Sequence, residues 1–172
     1  PAAPPGIPGE YVMRPFDVKL SYLGKPWCTV PLEVGFDEIG DAERADATSQ
    51  VEASDALERL GFPAVGDVAL MDLCYQVAQK LHGLTSGGDR VRDLVDLQLI
   101  MGNADVDLAR TRRVCVRLFA YRKAQQWPPR VVSGEGWDEL YATQAEGLGV
   151  LQDLAEAIEW ANGLVARIDA AR

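Results

Sequence analysis

The chain opens with two stretches in which apolar and polar residues alternate, the pattern of a β-strand. Residues Tyr11–Leu23 and Pro26–Phe36 are rich in β-branched and aromatic side chains and flank a Gly-Lys turn, so the sequence predicts a β-hairpin. Alternation places Pro31 and Glu33 together on one face of the second strand. Because proline cannot donate to a neighbouring strand, Pro31 indicates an edge position or a bulge. The opposite, apolar face is predicted to contain Cys28, Val30, Leu32, Val34 and Phe36.

The region after the hairpin has no clear period. Residues Asp37–Ala53 are acidic and rich in alanine, which is typical of a solvated loop or a marginal helix. Ser54 is a candidate N-cap for a short helix that Gly61-Phe62-Pro63 would end. A short apolar run, Val68–Met71, follows.

From about residue 70 the apolar positions recur at helical spacing. This period predicts five helices, the second of them capped by Asp89. The sequence therefore predicts an α+β fold: a β-hairpin followed by a helical bundle, divided into residues 1–69 and 70–172. The expected helices are Leu70–Leu84, Arg90–Met101, Val106–Gln126, Trp137–Glu146 and Val150–Ala170.

Composition suits a folded domain without disulfides or a structural metal. The chain has 172 residues, 48% of them apolar, and a chain of this length buries roughly 70% of its extended surface on folding. Three scattered cysteines without a CxxC pair favour reduced thiols in the cytoplasm. The sequence has neither an apolar run of the ~18 residues that span a membrane nor the order of a signal peptide.

Charge is distributed unevenly along the chain. The net charge is −9, which by itself argues against a nucleic-acid binder. The stretch Leu108–Arg130, however, carries seven basic side chains and no acidic one. Its helix can be an ordinary solvated face or an electrostatic footprint for RNA phosphates, and Tyr121 and Trp127 could stack on a base. The candidate RNA-binding residues are Arg110, Arg113, Arg117 and Lys123.

The first two predicted helices carry the residues with the clearest chemical potential. Lys80 lies beside an apolar stripe, where a lysine usually extends its ammonium group to water. In the next helix, Asp93 and Asp96 share a face with Leu97. Arg92 can pair with Asp96 at i, i+4, or one carboxylate can orient Lys80 or a metal-bound phosphate. Spacing leaves both interpretations open.

Two motifs in these helices resemble the C-terminal half of the AbiEii/AbiGii family of nucleotidyltransferase-like toxins. They are a Lys-Leu-x-x-Leu helix and, after a loop containing glycine, an Arg-Asp-Leu-x-Asp-Leu helix. The hairpin before them and the bundle after them match the family in order. Gln79 stands where the family usually has glutamate. The motifs read Gln79-Lys80-Leu81-His82-Gly83-Leu84 and Arg92-Asp93-Leu94-Val95-Asp96-Leu97.

The resemblance implies a polymerase-β-like nucleotidyltransferase fold that uses Mg²⁺ and a nucleoside triphosphate (NTP). On this mapping Lys80 and Arg92 contact the nucleotide, and Asp93 or Asp96 is the catalytic or orienting acid. Glu33 could complete the metal site, although an acidic residue on an alternating strand is usually only on its solvent side.

The resemblance also implies a toxin that transfers a nucleoside monophosphate to RNA, such as tRNA, or to protein, and that a cognate antitoxin restrains. The alternative is a non-catalytic RNA-binding or protein-interaction module derived from the same fold. The family's metal-binding core, a Gly-Ser turn and an Asp-x-Asp strand, is expected before the hairpin and is not found there. Gly87-Gly88-Asp89 lies between two helices and does not replace it. We therefore expect an N-terminally incomplete or diverged chain with little activity by itself.

Overall fold

In its described residues the protein has an α+β structure in which a two-stranded hairpin precedes six helices. The computed structural model describes residues 14–35, 38–40, 46–48, 51–63 and 68–172. The chain divides into two compact units, Pro1–Gly40 and Asp41–Arg172. The predicted fold class is confirmed, whereas the predicted boundary between residues 69 and 70 stays a prediction.

The first unit contains the predicted hairpin. Strand β1 (Arg14–Tyr22) pairs antiparallel with β2 (Lys25–Val34), and Leu23 and Gly24 form the turn with φ of 50° and 74°. The turn therefore lies one residue earlier than predicted, because these two residues adopt the left-handed conformation that a tight hairpin needs. In a two-stranded sheet each strand is an edge, which accommodates Pro31.

The two faces of the hairpin differ in polarity, but all residues of both strands are exposed. One face carries Asp17, Lys19 and Glu33. The other face is apolar, as predicted; Tyr11–Met13 and Phe36 lie outside the described residues. Its described apolar members are Phe16, Val18, Leu20, Cys28, Val30, Leu32 and Val34, and Arg14 lies at its end opposite Val34.

The segment between the units differs most from prediction. Strand β3 (Asp46–Thr48) pairs antiparallel with β4 (Val68–Leu70), and helix α1 (Val51–Arg59) lies between them in sequence. Ser54 is inside α1, so its prediction as an N-cap was wrong: the helix begins three residues earlier. Much of the expected acidic loop, residues 37, 41–45 and 49–50, is outside the described part of the chain.

The five helices predicted for the second half are confirmed, and side-chain caps account for most differences at their ends. Asp72, Asp107 and Asp153 each accept backbone N–H groups at the start of a helix. Asp89 is not a cap, because the second of these helices begins after Val91. The helices are α2 (Leu73–Thr85), α3 (Arg92–Asn103), α4 (Leu108–Arg122), α5 (Trp137–Ala145) and α6 (Leu154–Ala170).

The core of the second unit lies where α2 packs on α3 and α4, and where α6 packs on α3 and α4. Each large apolar side chain buried there stabilises the fold by about 1.5–3 kcal/mol. None of the helices in the described ranges has the length and apolar character to cross a membrane. Fully buried core residues include Val77, Leu81, Leu94, Leu97, Leu118, Phe119, Leu164 and Ile168.

Candidate functional site

Lys80 of α2 and two carboxylates of α3 form a cluster at the junction of these helices. The Lys80 Nζ atom lies 2.7 Å from Asp96 Oδ2 and 3.3 Å from Asp93 Oδ1. Asp93 and Asp96 point the same way because residues three apart on a helix share a face. The side chain of Lys80 is 23% exposed, so it does not simply extend into water. The structure thus brings together the three residues to which the sequence assigned catalysis.

Arg90, which precedes α3, is the fourth charged member of the cluster. Its Nε and Nη2 atoms donate to Asp93 Oδ2 at 2.9 Å and 2.8 Å. Asp93 therefore binds Lys80 through one carboxylate oxygen and Arg90 through the other. Two cations and two anions meet in this cluster, so its formal charge is zero.

A small depression of about 320 Å³ opens beside the cluster. An ammonium group has three N–H donors, and Lys80 directs two of them at Asp93 and Asp96, which leaves one donor for a ligand in the depression. The site can therefore hold an anionic or strongly polar group against a fixed lysine. It is lined by Met71, Gln76, Gln79, Lys80, Arg90 and Asp93.

The spacing left open whether Asp96 pairs with Arg92 or a carboxylate orients Lys80, and the structure has the contact with Lys80. Asp96 pairs with Lys80 across the helix junction, and Arg92 lies exposed at the first position of α3. Because Lys80 reaches Asp96 from α2, Asp96 pairs with a residue of another helix and not with Arg92 of its own helix. The predicted role of Arg92 in nucleotide binding is a separate matter and stays a prediction.

Glu33 lies in the first unit, on β2 of the hairpin. It is exposed and stands opposite Pro15 of β1. The described residues contain no group of three or more His, Cys, Asp or Glu side chains that could hold a metal ion. The assignment of Glu33 to a metal site therefore stays a prediction.

The basic helix α4 uses some of its arginines to hold the fold. Arg110 Nη2 lies 3.0 Å from Asp72 Oδ2, which ties α4 to the start of α2. Arg112 likewise bonds to Asp169 at the end of α6. Arg113 and Arg117 are exposed, as is Lys123, which ends the helix in a left-handed conformation. Of the candidate RNA-binding residues, Arg110 is ion-paired with Asp72, and Arg113, Arg117 and Lys123 are exposed.

Titratable groups with displaced pKa values lie in the core of the second unit, away from the Lys80 cluster. Burial raises the pKa of the Cys115 thiol to about 12 and also raises the pKa of Cys74. Burial raises the pKa of Tyr141 as well, although its hydrogen bond with Gln98 opposes the shift. Cys74, Cys115 and Tyr141 are buried and therefore contribute to the packing of the core.

Arg90 and Gly83 are the two members of the site that the sequence motifs did not identify. A Cβ atom on Gly83 would lie only 2.5 Å from Asp93 Oδ2, so glycine is what allows α2 and the carboxylate to approach closely. An isolated glycine inside a helical pattern was the available signal for such an approach. For Arg90, the i, i+3 spacing to Asp93 was the signal, but the i, i+4 spacing of Arg92 to Asp96 was the pair considered.

Comparison with known proteins identifies the family. A model of the AbiEii toxin family, described as a nucleotidyl transferase of a type IV toxin–antitoxin (TA) system, matches residues 4–163. A search of curated proteins gives no match. The matched range includes both units, the Lys80 cluster and α4, and it confirms the resemblance carried by the two helical motifs. The chain belongs to the AbiEii family of nucleotidyl transferase toxins.

Proposed function

We propose that this protein transfers a nucleoside monophosphate from an NTP to RNA, and that the Lys80 cluster binds the triphosphate. Membership of a nucleotidyl transferase family supports the reaction class. The single observation that carries the assignment of the site is the convergence of Lys80 with Asp96 at 2.7 Å and with Asp93 at 3.3 Å. A lysine held in one place can oppose charge that develops on phosphate oxygens without having to reorganise.

The two carboxylates have the task of orienting the lysine. Asp93 and Asp96 contact the Lys80 Nζ atom at 3.3 Å and 2.7 Å, and these two contacts hold the ammonium group in one place. Because the cluster has no net charge, attraction of an NTP requires further cations. We propose that Arg92, exposed at the start of α3, supplies one of them. Asp93 or Asp96 is the acid that acts in the reaction.

Magnesium is a cofactor expected from the reaction class, but the described residues do not fit it by themselves. Both oxygens of Asp93 already face cations, and one oxygen of Asp96 does so. Two nearby cations oppose the binding of a divalent ion to the same carboxylates. We keep Glu33 as a candidate ligand and derive no step of the reaction through a metal.

Substitution of the cluster in the natural protein tests this function. We expect Lys80→Ala and Asp96→Asn to abolish growth inhibition and to reduce transfer of labelled nucleotide to RNA by at least about 100-fold, since the first removes the ammonium group and the second removes the charge that holds it in place. Arg59→Ala, an exposed arginine on α1, is the matched control and should act as wild type. Circular dichroism shows whether each variant is folded. Full toxicity in folded Lys80→Ala would refute the assignment.

We further propose that the exposed face of α4 binds the acceptor RNA. Arg113, Arg117 and Lys123 are at the surface, whereas Arg110 is partly neutralised by Asp72. Phosphate contacts release counterions, so affinity falls as salt rises, with a slope that reports the number of contacts. We expect Arg113→Glu with Arg117→Glu to weaken tRNA binding and make the salt slope shallower. Arg59→Glu with Arg167→Glu is the control, because it makes the same charge change on α1 and α6. An unchanged slope would return α4 to an ordinary solvated face.

The TA system named for the family implies an antitoxin counterpart, and we propose that it restrains this activity.

A second candidate function is a non-catalytic RNA-binding or interaction module, which the balanced charges of the cluster favour. The two candidates give different results in the same assays. A module would bind tRNA with the predicted salt slope but transfer no nucleotide, and Lys80→Ala would not change its effect on growth.

A further inference from the structure

We infer that Arg90 and Gly83 are positioning residues for the nucleotide site: together they hold Asp93 so that it orients Lys80. This inference rests on the proposed function of Lys80. Arg90 donates to the Asp93 carboxylate oxygen Oδ2, and the missing Cβ of Gly83 leaves the space that this oxygen occupies. The other oxygen, Oδ1, faces Lys80 Nζ at 3.3 Å. The orientation of one carboxylate is thus set from three sides.

Gly83 provides the space in which the carboxylate sits. An added Cβ would lie 2.5 Å from Asp93 Oδ2 and 3.0 Å from Arg90 Nη2, and real Cβ contacts are essentially never shorter than 3.0 Å. Alanine is favoured over glycine inside a helix by about 1 kcal/mol. Gly83 therefore lowers the stability of α2, and the close approach of Asp93 explains why a glycine is needed there. Any larger residue must move Asp93, Arg90 or both.

Arg90 directs the carboxylate more than it stabilises the fold. Its side chain is 54% exposed, and ion pairs with such exposure contribute only about 0–1 kcal/mol to stability. Its two N–H groups nevertheless converge on the same oxygen, at 2.9 Å and 2.8 Å. They hold Oδ2 away from the lysine and leave Oδ1 to face it. Loss of Arg90 would let the carboxylate rotate, so that Lys80 loses one of its two fixed partners.

Two helical glycines provide a matched test. Gly163 lies in α6 with nothing within 4 Å of an added Cβ, so Gly163→Ala should leave nucleotide transfer unchanged and slightly raise the melting temperature. Gly83→Ala should break the contact between Lys80 and Asp93 and lower transfer about 10-fold to 100-fold, the effect of a displacement near 1 Å at a reacting centre. Equal behaviour of the two alanine variants would overturn the role of Gly83.

Arg90 is tested by a substitution that leaves the helix intact. We expect Arg90→Ala to raise KM for the NTP about 10-fold while the melting temperature changes little, because exposed ion pairs add little stability. Arg90→Lys, which restores the charge, should recover part of that loss. Arg59→Ala is the control and should change neither KM nor kcat. Wild-type KM in Arg90→Ala, or a loss of activity that only follows unfolding, would overturn the role of Arg90.

A structure determination of Gly83→Ala and Arg90→Ala separates this inference from the function on which it rests. The measured quantity is the distance from Lys80 Nζ to Asp93 Oδ1, which does not depend on activity. If that contact persists in both variants, the positioning role is refuted even when Lys80→Ala is inactive. If the contact is lost while Lys80→Ala remains fully toxic, the positioning is real and the proposed function is wrong.

Discussion

The hairpin and the helical unit both carry long apolar side chains at regular spacing, but they bury them to very different extents. Leu32 of β2 is 48% exposed, whereas Leu97 of α3 and Leu118 of α4 are fully buried. In the helical unit, each apolar stripe meets one on another helix. A two-stranded hairpin has no second layer of its own, and such hairpins are at best marginally stable in isolation. The comparison shows that periodicity specifies an element, whereas burial depends on what packs against it.

The largest effect that this comparison predicts is on core packing. Phe119 is 1% exposed and Phe16 is 50% exposed, so the same substitution should cost different amounts. We expect Phe119→Ala to lower the free energy of unfolding by about 3–5 kcal/mol, the cost of removing a buried aromatic ring. Phe16→Ala should cost no more than about 1 kcal/mol. Urea titrations followed by circular dichroism measure both values. A similar cost for the two variants would mean that the apolar face of the hairpin is covered.

Much of the fold was predictable because local patterns and local caps determine it. The hairpin and five helices follow from periods of two and 3.6 residues. The helix ends were harder to predict, because more than one residue near the start of a helix can act as its N-cap. Asp72 caps α2, but Asp89 does not cap α3. Strands β3 and β4 were missed because three-residue strands that pair across an intervening helix leave no period to detect.

The sequence identified three residues of the candidate site, Lys80, Asp93 and Asp96. It did not identify the side chains that contact them. The two helical motifs drew attention to Lys80, Asp93 and Asp96, and only the family resemblance implied that they act at one site. The choice of Arg90 over Arg92 depends on where α3 begins, which spacing does not define to within two residues. On α4, the sequence could not distinguish Arg110, which Asp72 binds, from Arg113, because such pairs form only after the helices pack.

A smaller effect is expected from the polar network that joins α3 to α5 and to the loop before α6. Gln98 accepts from the Leu151 N–H at 2.9 Å and donates to Tyr141 Oη at 2.9 Å. Gln98→Leu keeps the size of the side chain but leaves the Leu151 N–H without this acceptor, which costs about 1–3 kcal/mol. The control is Asn103→Ala, since the exposed Asn103 bonds only within its own helix and should cost about 0.5 kcal/mol or less. Equal melting temperatures for the two variants would contradict a structural role for the network.

Chemical modification of the hairpin is expected to have the smallest effect on stability. The cysteines allow this effect to be measured. Cys28 is exposed on β2, whereas Cys74 and Cys115 are buried in the helical unit. Iodoacetamide at pH 8 should modify Cys28 in the folded protein and change its melting temperature by less than about 2 °C, since exposed sites contribute little. Mass spectrometry locates the label, and Cys28→Ser should abolish native labelling.

Raising the pH extends this test to the buried thiols. Burial raises the pKa of Cys115 from its ordinary value of 9.0 to about 12, so between these values the unfolded chain ionises this thiol and the folded chain does not. Stability from Cys115 is therefore complete below pH 9 and is lost as the pH rises towards 12. We expect Cys115→Ala to make the decline of unfolding free energy between pH 9 and 10.5 less steep, whereas Cys28→Ser should leave it unchanged. Rapid native labelling of Cys115 at pH 8 would show that the helical unit opens readily, which would remove the contrast in burial between the two units.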